Sequence, residues 1–150
     1  MSNLSLSEAM HQLMHAYKYL LREGIRKQQI TLPVTHIRVL KGICRNPEAT
    51  AQSIAQRMQR DKAQITRALN DLLAANLIFK ENNPLDRRSQ LLRPSPRGKE
   101  IIIQIDRAEE EAVKQLTSEL SAEDLAFFLR VSKTMIDSIE QNSSINKRTN

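Results

Sequence analysis

Covalent and cofactor chemistry find few footholds in this chain. Its 150 residues hold one cysteine, Cys44. No intrachain disulfide can form, and a reducing compartment is expected. Glycine is nearly as scarce: Gly24, Gly42 and Gly98 lie far apart, so no Gly-rich loop is available to cradle a phosphate. No Ser/His/Asp arrangement carries a recognisable local signature, and the chain is read as non-enzymatic, with no cofactor. His11 and His15 share a helix face at i, i+4, with His36 elsewhere, but nothing acidic or thiol-bearing stands at ligand spacing beside them. A solvated face is expected there and no metal.

Aromatic residues are few as well. Tryptophan is absent, and only Tyr17, Tyr19, Phe79, Phe127 and Phe128 are present. That excludes folds that bind single strands by stacking bases on aromatic platforms, and leaves duplex DNA open. No uncharged apolar run approaches the roughly 18 residues of a membrane span. Met1 leads into polar residues without a basic segment and an apolar run behind it. A cytoplasmic protein without a membrane partner is expected.

What the chain does have is basic charge, unevenly placed. Lys and Arg number 23 against 17 Asp and Glu, a formal +6. Residues 1–59 carry +5, residues 60–99 another +5, residues 100–140 carry −6 and the last ten +2. A polarised molecule turns one face to a polyanion.

The dominant period is helical. Apolar residues at Met10, Leu13, Met14, Tyr17, Leu20, Leu21 and Ile25 mark a first helix from Ser7 to about Gln29, with capping-box spacing between Ser5 and Glu8. Pro33 restarts the chain, and Val34, Ile37, Leu40, Ile43 and Cys44 mark a second helix ending before Asn46-Pro47. Thr50 caps a short third helix with Ile54, Ala55 and Met58. After a polar turn at Gln59 and Arg60, Asp61 to Gln64 opens a fourth, whose buried stripe is Ile65, Ala68, Leu69, Leu72 and Leu73. Two short helices around a tight turn are a helix-turn-helix candidate. Asn76 tolerates the left-handed conformation and ends the fourth helix. Apolar runs at 77–81 and 89–93 then flank Asn82-Asn83-Pro84-Leu85-Asp86-Arg87-Arg88, the pattern of a β-hairpin. Ser95 caps a fifth helix with Pro96 at its first position, and Ser121 to Asp124 caps a sixth.

From Leu32 to Gly98 these residues resemble the MarR family of winged helix-turn-helix regulators. Thr50-Ala51-Gln52-Ser53-Ile54-Ala55 is similar to the family's Thr-x-x-Glu-Leu-Ala helix, and Asp61-Lys62-Ala63-Gln64-Ile65-Thr66-Arg67 to its recognition helix. Asn83-Pro84-Leu85-Asp86-Arg87-Arg88 resembles its wing, and Pro94-Ser95-Pro96-Arg97-Gly98 the Leu-Thr-x-x-Gly that leads into the dimer helix. There are departures. Ser53 replaces Glu and removes a capping carboxylate, Asn76 replaces Gly, Lys80 an Arg, Pro94 and Ser95 a Leu and Thr, and Ala63 a Ser that often contacts DNA.

The fold class expected is mainly α with a small β-hairpin wing (α+β), a single domain over 1–150. Within it the winged lobe covers 33–98, dimerisation helices cover 5–30 and 96–140, and 141–150 form a disordered tail. The apolar faces of helices 1, 5 and 6 exceed what one small lobe can cover, and the resemblance implies a homodimer on a pseudopalindromic duplex.

On the recognition helix Lys62, Ala63, Gln64, Thr66, Arg67 and Asn70 lie on or beside the face opposite the core stripe. Gln64 suits adenine, Arg67 guanine or phosphate, Ala63 a thymine methyl, and Lys62 and Thr66 phosphates. At the hairpin tip a guanidinium suits a narrow minor groove. By the family pattern Arg88 enters it, Asp86 braces it, and Arg87 lies nearer the backbone. The resemblance also implies a repressor released from DNA by a small phenolic or anionic effector, with Tyr17, His36 and Arg38 as candidate pocket residues. A redox-gated regulator using Cys44 and a non-specific architectural nucleic-acid-binding protein stand as alternatives.

Overall fold

The structure, a computed structural model, describes residues 3–58 and 61–148. Six helices and one hairpin follow in the order α1 (Leu6–Lys27), α2 (Val34–Arg45), α3 (Ala51–Met58), α4 (Lys62–Ala74), β1 (Ile78–Asn82), β2 (Gln90–Pro94), α5 (Pro96–Leu116) and α6 (Ala122–Arg148). This is the mainly helical α+β winged-helix architecture.

Caps set most of the boundaries. Ser5 accepts from the Glu8 N–H at 3.2 Å and starts α1. The Ser95 hydroxyl accepts from Gly98 N at 3.1 Å to start α5, and donates to Asn76 O at 2.7 Å, so one side chain joins the end of α4 to the start of α5. Ser121 and Asp124 exchange bonds of 3.0 and 3.2 Å at the start of α6. The polar turn expected at Gln59 and Arg60 lies outside the described residues.

Asn76 ends α4 at φ 57°. Leu77 N bonds to Leu72 O at 3.0 Å and Asn76 N to Leu73 O at 3.1 Å, a Schellman closure that buries Leu72 and Leu77. Because Leu77 is used in that closure, each strand lies one residue later than the sequence pattern placed it. Antiparallel pairing runs from Ile78↔Pro94 to Asn82↔Gln90.

The core of the lobe joins α2, α3, α4 and the hairpin through Val39, Leu40, Ile43, Ile54, Ile65, Leu72, Ile78 and Leu92. Of the stripe expected on α4, Ile65, Ala68, Leu69 and Leu72 are buried, and Leu73 is partly so. Gly98 is where the backbones come too close for any side chain: a Cβ there would lie 2.1 Å from Leu77 O.

The chain divides after Ala112 into two compact units, where the sequence pattern drew one domain over 1–150. The first holds α1 to α4, the hairpin and most of α5. Within it α1 and α5 meet at small residues, a Cβ on Gly24 lying 3.0 Å from that of Ala108. Lys41 on α2 pairs with Glu109 and, at 3.7 Å, with Asp106 on α5. In the second unit, α6 continues to Arg148 rather than giving way to a tail after 140. Loss of apolar residues ends a buried face, not the i→i−4 ladder, and the Ser143 hydroxyl still bonds to Ile139 O at 2.9 Å.

Candidate nucleic-acid interface

Two elements carry the residues expected to meet DNA, and each is fixed from behind. Helix α3 is anchored by Thr50 and Ser53. Ser53 N donates to Thr50 Oγ1 at 3.1 Å, Thr50 N donates to Ser53 Oγ at 2.9 Å, and the Ser53 hydroxyl donates to Thr50 O at 3.0 Å. The capping box expected to lack a partner for want of Glu at 53 is therefore closed by a hydroxyl, short enough to sit against the first turn. Asp61 caps α4 through Ala63 N at 3.1 Å, one residue earlier than the box spacing to Gln64. Buried Ile65, Ala68, Leu69 and Leu72 hold the inner face of α4 on the core.

The outer face follows from that anchoring. Lys62, Ala63, Gln64, Thr66, Arg67 and Asn70 are all exposed. At about 100° per residue, positions 62, 63, 66, 67, 70 and 71 cover one half of the helix circumference. Those residues line one shallow concavity. Gln64 falls just past its edge, exposed but outside the concavity. The Thr66 hydroxyl donates to Lys62 O at 2.9 Å, so its proton is held by its own helix and its lone pairs face outward.

Asp71 is the residue on this face that sequence reasoning missed. Its carboxylate lies 2.8 Å from His36 Nε2, which joins α4 to α2. His36 Nδ1 is buried with no partner among the described residues. A base on α2 thus holds an acid that would otherwise stand free among groups suited to phosphate. The place of Asp71 four residues after Arg67 puts it on this outer face, but no spacing in the sequence points to His36.

At the hairpin, the strands are tied to the loop before α3. Leu92 N bonds to Ala49 O at 2.8 Å, while Arg93 bonds to the Pro47 carbonyl and, at 2.9 Å, to Glu81. The tip is ordered by its own polar groups. Asn83 Oδ1 accepts from Leu85 N at 3.0 Å, Asn83 Nδ2 donates to Ser89 Oγ at 3.1 Å, and Asp86 Oδ1 accepts from Arg88 N at 2.9 Å. Asp86 braces the backbone of Arg88 rather than its guanidinium. Arg87 and Arg88 are exposed, and among the described residues neither forms an ion pair.

Of the three residues expected to line an effector pocket, Tyr17 lies on α1, and His36 and Arg38 lie on α2. Tyr17 is half-buried on α1, and burial, with the Glu109 carboxylate second, raises its phenol above the ordinary value. His36 serves the bond to Asp71, and Arg38 is exposed on α2. Cys44 is half-buried against the core, and burial pushes its thiol up, with Lys99 and Arg45 opposing and Asp106 adding. Among the described residues no cluster of three or more His, Cys, Asp or Glu is placed to hold a metal ion. No described helix is long and apolar enough to cross a membrane.

Residues 30–89 match the sequence profile of the MarR family. The match covers α2, α3, α4, β1 and the hairpin tip, the elements whose caps and exposed faces are described above.

Around this lobe the fold agrees over nearly the whole chain with solved structures. Wild-type MarR from E. coli in its apo form aligns at 20% identity and a TM-score of 0.72, over 90% of this chain and 98% of that one. A mutant E. coli MarR complexed with operator DNA aligns at 21% identity and 0.70, over 87% and 92%. FabT of Streptococcus pneumoniae in complex with DNA aligns at 16% identity and 0.76, over 91% and 96%. No curated protein sequence matches the chain.

Proposed function

We propose that this chain is a transcriptional regulator that binds duplex DNA by sequence, as a homodimer on a pseudopalindromic site, and that it acts as a repressor. The observation that carries the reading is the presence of two exposed basic elements, the outer face of α4 and the Arg87-Arg88 tip, each fixed on one lobe by its own caps and core. The structures of a mutant MarR with operator DNA and of FabT with DNA support it by likeness of fold.

In this reading α4 lies in the major groove. Gln64 pairs with adenine N6 and N7, Arg67 with guanine or phosphate, and Ala63 packs on a thymine methyl, while Lys62 donates to the phosphate backbone and Thr66 does so by turning its hydroxyl away from Lys62 O. Arg88 enters the minor groove, Arg87 stays near the sugar-phosphate chain, and Asp86 fixes the turn between them.

Exposed apolar side chains support the dimer. On α1 they are Leu6, Met10, Leu13 and Met14, and on α6 Phe127, Phe128, Leu129, Ile136 and Ile139. Faces of this extent are left by folding for a second copy to cover. Release of DNA by a phenolic or anionic effector is part of the proposal, with Arg38 as the exposed cation that an anion would meet. The raised Cys44 thiol favours packing over the redox alternative, because the thiolate is the reactive form.

Selection from a random duplex pool tests the core of this reading. A dyad with half-sites about 10 bp apart is expected, together with log affinity falling steeply in log salt, at a slope of about −0.9 per neutralised phosphate. No enrichment, or enrichment without a dyad, would refute specific dimeric recognition.

A further inference from the structure

Leu85, at the tip of the hairpin, is 87% exposed, more than any other large apolar side chain among the described residues. The turn does not need it. Asn83, Asp86 and Ser89 supply the side chains and carbonyls that order the tip, and Leu85 contributes only its N–H, which any residue but proline has. Its side chain therefore stands in water on an ordered platform, between Pro84 and the exposed Asp86-Arg87-Arg88.

That combination has a chemical complement. The walls of a duplex minor groove are deoxyribose C–H surface, and its floor over A·T pairs lacks the exocyclic amine that guanine places there. Apolar side chains enter such grooves, and guanidinium groups follow the negative potential where the groove is narrow. We propose that Leu85 is an apolar minor-groove contact of the wing, seated against the sugar walls beside the Arg88 guanidinium, and that it makes the wing selective for flanking pairs without the guanine amine. The proposal rests on the DNA-binding reading above and adds a specificity determinant to it. A guanine amine under the leucine would lose its water without gaining an acceptor, and the side chain would be held off the floor.

The test uses the full-length protein and the duplex that the wild type selects, followed by fluorescence anisotropy across a salt series. Leu85→Ser is expected to weaken binding about tenfold through lost apolar burial. Its salt slope should match the wild type because no charge is removed, whereas Arg88→Ala should make the slope shallower. Leu85→Met keeps an apolar side chain and should bind within about twofold of wild type.

Flank pairs carry the second arm. Replacing A·T by G·C should weaken the wild type about tenfold, the usual scale of one wrong pair. Inosine·C, which keeps the major-groove face of G·C but lacks the amine, should restore binding, and Leu85→Ser should narrow the difference. Leu85→Ser binding as tightly as wild type, or G·C and inosine·C behaving alike, would overturn the minor-groove contact while leaving DNA binding intact. A wild type that selects no duplex removes both.

Discussion

Gln29 and Asn76 hold the left-handed conformation, at φ 59° and 57°, and close their helices by the same pair of bonds. After α1, Ile30 N reaches Ile25 O at 3.3 Å and Gln29 N reaches Arg26 O at 3.0 Å, matching the bonds that Leu77 and Asn76 make after α4. The two side chains are not equal in that position. Asn is short enough to bond locally and tolerates positive φ, while Gln brings a Cβ without that compensation. Gln29→Gly is therefore expected to raise stability by about 1 kcal/mol, and Asn76→Gly by about half as much. Urea unfolding of the two variants checks the order. A larger gain at Asn76 would mean that Gln29 is not strained. The same contrast explains why Asn76 was legible in the sequence as a left-handed residue while Gln29 was placed only as the approximate end of its helix, since glutamine has no preference that marks a left-handed residue.

Helix α3 has only eight residues, from Ala51 to Met58, too few to persist without tertiary packing and caps. Thr50 and Ser53 satisfy two of its first N–H groups reciprocally. Ser53→Ala and Thr50→Ala should each cost about 1 kcal/mol. Because each hydroxyl accepts from the backbone of the other's residue, the double variant should cost less or more than the sum by a measurable coupling, not equal it. Strict additivity in denaturant unfolding would show that the two caps act separately. At this scale the sequence was readable wherever a residue type has one local use: serines and aspartates that cap, prolines that restart, a basic turn between apolar runs. It was less readable where a residue has a use at long range. Asp71 looked like one more polar position on α4 until His36, 35 residues earlier, was seen beside it. Arg93 likewise gave no hint that it would tie the hairpin to Pro47. Such pairs depend on how helices meet, and no local period encodes that.

For the whole molecule, the charge divided along the chain takes a different meaning once α2 and α5 meet. Residues 1–99 are strongly basic and 100–140 acidic, yet part of that acid is returned to the lobe, because Glu109 and Asp106 engage Lys41. Tyr17 feels Glu109 as well, and Cys44 feels Asp106. For both groups burial is the larger cause, the carboxylate adds to it, and the charged form is disfavoured in the folded chain. The consequence has a definite sign. A group whose folded pKa is raised contributes fully below its unfolded value, and that contribution is lost as pH rises through the folded one. Stability should accordingly begin to fall above about pH 8.5, where an unfolded thiol ionises, and fall further above about pH 10 as the unfolded phenol does. Both groups are partly solvated, so the decline is gradual rather than a sharp transition. The double variant Tyr17→Phe, Cys44→Ala removes both titrations. Its Tm, followed by circular dichroism from pH 7 to 11, should decline less steeply than that of the wild type. Parallel declines would show that neither the thiol nor the phenol sets the alkaline loss of stability.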